Sequence, residues 1–162
     1  MSDDGCIRLD DPCADDVRAL LERHLAFANE HSPPEDVHAL DLDGLLQPEI
    51  SFYSYRVDGQ LLGIGALKTL DATHAELKSM HTAAEARGRG VGRTMVEHLL
   101  AVARERGITR ISLETGTPEA FVPARSLYES FGFEECEPFD QYFVSEWSVC
   151  MTLPLDATEP IT

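Results

Sequence analysis

Apolar and polar positions change period along the chain, and each change marks an element. Residues 4–10 alternate, with Cys6, Arg8 and Asp10 on one side and Ile7 and Leu9 on the other, which predicts a short first strand. After Asp11-Pro12 the period lengthens. Val17, Leu20, Leu21, His24, Leu25 and Ala28 recur at helical spacing until His31-Ser32-Pro33-Pro34 breaks the helix. A second short helix is predicted over roughly Glu35 to Leu46. Ile50–Val57 and Leu61–Leu70 flank Asp58-Gly59, the strongest hairpin dipeptide in the chain, and His74–Thr82 follows the turn Asp71-Ala72-Thr73. Residues 50–82 therefore predict a three-stranded antiparallel meander. Gly63 and Gly65, inside its second strand, mark a bend or a close neighbour.

The second half alternates strand and helix. Val91, Met95, Leu99 and Val102 predict a long amphipathic helix stopping at Gly107, and Ile108–Glu114 a strand. Strand, glycine-rich turn, helix, strand is a βαβ unit, whose two strands should run parallel. Pro123 opens a further helix to Phe131, capped by Gly132, and Phe133–Glu137 and Trp147–Leu153 alternate as two last strands. The order is β, α, α, β, β, β, α, β, α, β, β.

Composition narrows the function. The 162 residues amount to one domain, residues 1–162. Lys plus Arg number 13 against 29 Asp plus Glu, so 13 − 29 gives −16. That charge opposes sequence-independent nucleic-acid binding and docking on an anionic membrane. Spread along the whole chain, it reads most simply as a solubility device. Met1-Ser2-Asp3-Asp4-Gly5 lacks the basic and apolar blocks of a signal peptide, and no apolar run approaches the ~18 residues of a membrane span. The four cysteines, Cys6, Cys13, Cys136 and Cys150, form no C-x-x-C pair. They read as reduced thiols of a cytoplasmic protein, with Cys6 and Cys150 suited to core packing in strands, and no metal is expected.

Chemistry concentrates at Arg87-Gly88-Arg89-Gly90-Val91-Gly92. Alternating glycines between a strand and a helix allow close backbone approach and positive φ. The helix N-terminus aims free N–H groups and a partial positive charge at one place, a site for phosphate or pyrophosphate. Arg87, Arg89 and Arg93 add cations against the acidic trend. A dinucleotide fingerprint would need glycine where Arg93 stands, and the Gly-Lys-Ser/Thr end of a P-loop is missing.

Arg87-x-x-Gly90-x-Gly92 resembles the [Gln/Arg]-x-x-Gly-x-[Gly/Ala] motif of the GNAT superfamily of acetyl-CoA-dependent N-acetyltransferases. Ala124-Arg-Ser-Leu-Tyr128-Glu-Ser-Phe-Gly132-Phe133 resembles that family's second signature, and the element order matches it from residue 6 to 153. Ser32-Pro33-Pro34-Glu35, Gly65-Ala66-Leu67-Lys68, Glu76-Leu-Lys-Ser-Met80 and Glu114-Thr115-Gly116 are similar to the small bacterial YsnE-type acetyltransferases. One position departs: many members carry Asn where this chain has Phe121. The resemblance implies an α/β (α+β) fold. Its mixed, mostly antiparallel sheet has about seven strands and four helices, and its central parallel strands splay.

The resemblance also implies roles. The amides of residues 87–92, including Gly88, Arg89 and Val91, would hold the CoA pyrophosphate, beside Arg93. The main chain of Met80 and Thr82 would pair with the pantetheine arm, which an unpaired strand edge can accept. An edge N–H can polarise the thioester carbonyl. An ammonium acceptor must lose a proton, and Glu76, 11 residues before Arg87, matches a glutamate that is the base in some members. Alternation puts Glu76 on the face of Met80. Glu114, at the end of the next parallel strand, is its rival; His81 and His74 are weaker ones. Tyr128 matches the family's usual acid for the departing thiolate. The acceptor pocket is expected between the helix pair near His24 to Glu35 and the loops after residues 114 and 137. His31, Glu114 and Arg125 are its candidate contacts, with Arg125 and Arg56 suited to a substrate carboxylate. The acceptor is expected to be a small-molecule amine or amino acid. A protein lysine, or a sensor without turnover, are the alternatives, and the last strand is a candidate homodimer edge.

Overall fold

The structure, a computed structural model, describes residues 6–33, 42–140 and 142–155. Seven strands and four helices follow in the expected order: β1 (Cys6–Leu9), α1 (Asp15–His31), α2 (Leu42–Leu45), β2 (Ile50–Val57), β3 (Gln60–Thr69), β4 (His74–Thr82), α3 (Val91–Glu105), β5 (Arg110–Gly116), α4 (Val122–Ser130), β6 (Glu134–Cys136) and β7 (Ser148–Pro154). Short 3-10 turns at Ala84–Ala86 and Glu119–Phe121 lead into α3 and α4. Most of the expected second helix and residues 1–5 lie outside the described residues; Leu42–Leu45 is helical within its expected span. No helix among the described residues is long and apolar enough to cross a membrane.

The sheet order is β1-β2-β3-β4-β5-β7-β6, antiparallel except for β4 with β5. Asp58 and Gly59 turn the β2–β3 hairpin with φ of 52° and 82°. The last strand, expected as a dimer edge, is not one. β7 pairs with β5 along its length and with β6 over Cys150–Thr152, because the chain folds back into a hairpin.

Each face carries its own apolar layer. On one, α3 and α4 cover Tyr53, Leu67, Leu77, Ile111, Leu113 and Met151 with Met95, Leu99, Tyr128 and the following Phe133. On the other, Val17, Leu20 and Leu21 of α1 and Leu45 of α2 cover Phe52, Ile64 and Ala66. A fully buried aliphatic such as Leu99 or Ile111 contributes about 2 kcal/mol. Gly63 and Gly65 mark a close neighbour, as their positions suggested. A Cβ at Gly65 would lie 2.7 Å from Met95 Cγ, and one at Gly63 2.6 Å from Val91 Cγ1, so α3 rests on β3 where only glycine leaves room. Cys150 is buried as expected, but Cys6 is exposed on the short edge strand; all four cysteines are free.

Arg56 has a structural role and does not line the cleft described below. Its guanidinium pairs with Asp10 Oδ2 at 3.1 Å and Asp16 Oδ2 at 2.7 Å, tying β1, α1 and β2 together. These bonds hold the Asp16 carboxyl below its ordinary range; Asp10, bonded also by Ser54, is lowered despite its burial.

Candidate active site

The cleft is made by a sheet that comes apart. β4 and β5 pair through His74–Arg110, Ala75–Ile111 and Glu76–Ser112 and then diverge, although β4 continues to Thr82 and β5 to Gly116. The gap opens into a cleft of about 710 Å³ whose lining includes Glu76, Met80, Thr82, Arg87, Gly90, Glu114 and Tyr128. These expected site residues, scattered over 53 positions from 76 to 128, are brought to one place.

A bulge in β4 sets what each side chain faces. The β3–β4 register shifts between Ile64 and Ala66, and Ser79, inside the shift, takes φ of 56°. Side chains then change phase. Glu76 and Lys78 point to the α1 face, whereas Met80 packs on the α3 face beside Met95, near Gly65. The alternation expected to put Glu76 and Met80 on one face is thus reversed by one extra residue.

Glu76 is 1% exposed. Its Oε2 accepts from the Tyr142 hydroxyl and from Lys78 Nζ at 3.2 Å, and Lys78 Nζ also lies 2.8 Å from the Tyr142 oxygen. Its Oε1 is buried and accepts no hydrogen bond from any described residue. A buried carboxylate oxygen without a donor costs roughly 1–3 kcal/mol, which a bound N–H would recover. Burial and the neighbouring Glu76 push the Tyr142 phenol far above its ordinary range, so it stays a donor. Tyr142 and Lys78 escaped sequence reasoning: Tyr142 sits in an aperiodic loop 66 residues from its partner.

At the other end, Gly90 caps α3 with φ of 78° and Gly88 has φ of 79°; a Cβ at either would meet nothing within 4 Å. No side chain among the described residues caps α3, so the N–H groups of Val91, Gly92 and Arg93 face outward without helical partners. Gly92 also has a packing duty, since its Cβ would lie 3.1 Å from Leu127. Arg87 lines the cleft and Arg89 does not. Arg93 reaches to α4, donating to Ser130 Oγ at 2.8 Å and lying 4.9 Å over the Phe131 ring.

Tyr128 borders the cleft at 7% exposure and packs edge-on against Phe133, and burial raises its phenol above the ordinary value of 10. Arg125 does not line the cleft. Its Nη1 donates to the carbonyls of Gly116 at 2.7 Å and Pro118 at 3.2 Å, fastening the end of β5 to α4. His74 also stays out of the cleft, bonded to Ser112 Oγ at 2.7 Å. His31 packs on Phe27, whose ring does line the cleft.

The "Acetyltransferase (GNAT) family" profile matches residues 15–133. The chain belongs to the GNAT acetyltransferase family. This GNAT chain is 46% identical over 149 residues to "Uncharacterized N-acetyltransferase YsnE" of Bacillus subtilis, covering 92% of the chain and 99% of the relative. It is 44% identical to "Uncharacterized N-acetyltransferase YedL" of Escherichia coli, covering 92% and 94%. A GNAT acetyltransferase from Elizabethkingia anophelis, solved with acetyl-CoA bound, shares the fold at TM-score 0.70 and 16% identity, covering 95% of this chain and all of that one. The chain is therefore an acyl-CoA N-acyltransferase of the GNAT type, built on a fold that uses acetyl-CoA.

His24 and His81 meet across the cleft wall with their Nδ1 atoms 3.2 Å apart, one ring donating to the other. Burial lowers both to about 4, helped for His24 by His81 and Lys78 and for His81 by Arg87 and Arg23. Their folded values lie below the unfolded 6.5, so stability from keeping them neutral is present above pH 6.5 and is lost as pH falls toward 4. Both imidazole resonances should stay unshifted from pH 7 to about pH 5 in an NMR titration. A midpoint near 6.5 for either would contradict the buried pair.

Proposed function

We propose that this GNAT enzyme moves an acetyl group from acetyl-CoA to the primary amine of a small molecule or amino acid by direct attack. The observation that carries this reading is Glu76 Oε1, a buried carboxylate oxygen without a donor among the described residues, at the cleft between the splayed strands. An amine must present an N–H and lose a proton as it attacks, and such an oxygen suits both tasks.

Bound acetyl-CoA supplies an acetyl group activated as a thioester. The outward N–H groups of Val91, Gly92 and Arg93, with the open backbone at Gly88 and Gly90 and the nearby Arg87, are fitted to a pyrophosphate. The β5-side edge of Met80–Thr82, which no strand covers, offers main-chain groups to the amides of pantetheine. An N–H of that edge stabilises the oxyanion of the tetrahedral intermediate. Glu76 takes the proton released by the attacking nitrogen. As the new C–N bond holds and the C–S bond breaks, Tyr128 gives its phenolic proton to the leaving sulfur. Glu114, which also lines the cleft, is the rival base.

Gly90→Glu should abolish acetyl-CoA binding by calorimetry. The fold should survive, because no described atom lies within 4 Å of the added Cβ, although the positive φ costs about 1–2 kcal/mol. Unchanged affinity in a folded variant would remove the pyrophosphate assignment.

Glu76→Gln should keep acetyl-CoA affinity and lose roughly 10²-fold or more in turnover. Because it also uncouples a buried ion pair, its melting temperature should fall. If it stays active while Glu114→Gln fails, the base is Glu114.

Tyr128→Phe isolates the acid. Stability should change by about 1 kcal/mol or less and turnover should fall much further. Since burial raises the phenol above its ordinary value, wild-type activity should show no Tyr128-dependent alkaline loss below about pH 10. Full activity of the folded variant would make Tyr128 a packing residue.

A further inference from the structure

On the α1 side the cleft is walled by rings. Phe27 and His31, one turn apart on α1, have centroids 4.6 Å apart. Phe121, from the 3-10 turn before α4, lies 5.2 Å from Phe27 and 6.2 Å from His31. His81 of β4 lies 6.3 Å from Phe27 and 5.1 Å from His24. Five rings from three elements thus form one continuous wall, and Phe27, Phe121, His24 and His81 face the cleft.

The wall is accommodated by a specific vacancy. A Cβ on Gly116, at the end of β5, would overlap the Phe121 ring, so glycine there is what lets the ring occupy its place. Phe121 is also the position where the sequence departs from the Asn of many family members. At neutral pH His24 and His81 are uncharged, both lowered to about 4 chiefly by burial, so these two rings bring no charge to the wall. The Lys78 ammonium is close enough to His24 to help lower it and is bonded to Glu76, which joins the wall to the carboxylate in one cleft. Meanwhile the two arginines suited to a substrate carboxylate are engaged elsewhere, Arg125 with main-chain carbonyls and Arg56 with Asp10 and Asp16.

A ligand that satisfies both ends has an N–H donor for Glu76 Oε1 and a flat apolar body for the rings. We infer that the acceptor is a primary amine carrying an aromatic ring and no carboxylate, its nitrogen at Glu76 and its ring against Phe27 and Phe121. This rests on the amine-acetylation reading above and narrows its substrate class.

The test compares phenethylamine, n-butylamine and phenylalanine as acceptors by release of CoA thiol. Phenethylamine should exceed both others in kcat/KM by about tenfold or more, the usual yield of a fitted apolar pocket. Phe27→Ala and Phe121→Ala should collapse its advantage over butylamine, mainly through KM. Phe27→Leu, which keeps bulk without a ring, serves if an alanine variant melts early. Equal or better use of butylamine or phenylalanine, or an advantage untouched by the folded variants, would overturn the aromatic acceptor while leaving acetylation standing. If no amine releases thiol, calorimetry of phenethylamine in the presence of CoA separates the two readings. Binding that Phe27→Leu weakens supports the wall and defeats the acetylation, whereas no binding overturns the wall as well.

Discussion

The site depends on the sheet breaking its own ladder. β4 and β5 exchange register over three residue pairs and then part, although both strands run on. Unpaired main-chain groups inside a fold are costly, so a splayed edge persists only where the flanking strands are secured on their outer sides. They are: β4 is bonded to β3 as far as Thr82, and β5 to β7 as far as Gly116. Arg125 adds a fastening by binding the Gly116 and Pro118 carbonyls. The resulting gap has polar backbone on its edge, a helix N-terminus at one end and a carboxylate within, and on the proposed reading an extended, phosphorylated thioester lies along it.

The bulge at Ser79 divides the labour along β4. With one extra residue, Met80 and Thr82 turn toward α3 while Glu76 and Lys78 keep to the α1 side. On the proposed reading, backbone for the cofactor and a carboxylate for the acceptor then share one strand. The positive φ at Ser79 is the local strain that accompanies this change of phase.

The Glu76–Lys78–Tyr142 cluster supplies the charge balance. Lys78 and the neutral phenol both bond Oε2 of a carboxyl group that is 1% exposed, while Oε1 accepts from no described residue. Opposite it, burial keeps His24 and His81 neutral beside the Phe27 and Phe121 rings. The chain carries a net charge of −16, yet the cleft is lined by groups of both signs, Glu76 and Glu114 with Lys78, Arg87 and Arg93.

Element order, the β2–β3 hairpin, the parallel β4–β5 pair and the glycine-capped α3 were legible in the sequence, because each follows from local periodicity or from dihedrals that only certain residues adopt. The 87–93 turn could be nominated from its alternating glycines and its arginines, whereas Glu76 and Tyr128 were implied by the resemblance to the GNAT family. Tertiary structure alone decided the rest. A bulge is a mismatch between two strands and leaves no mark in either one's alternation, so the faces of Glu76 and Met80 were misassigned. Whether Arg125 and Arg56 meet a substrate or the protein's own oxygens depends on partners up to 46 residues away. The covered edge of β7, the reach of Tyr142 to Glu76 and the joining of five rings into one wall likewise arise only when distant segments pack, since no short stretch of sequence contains both sides of those contacts.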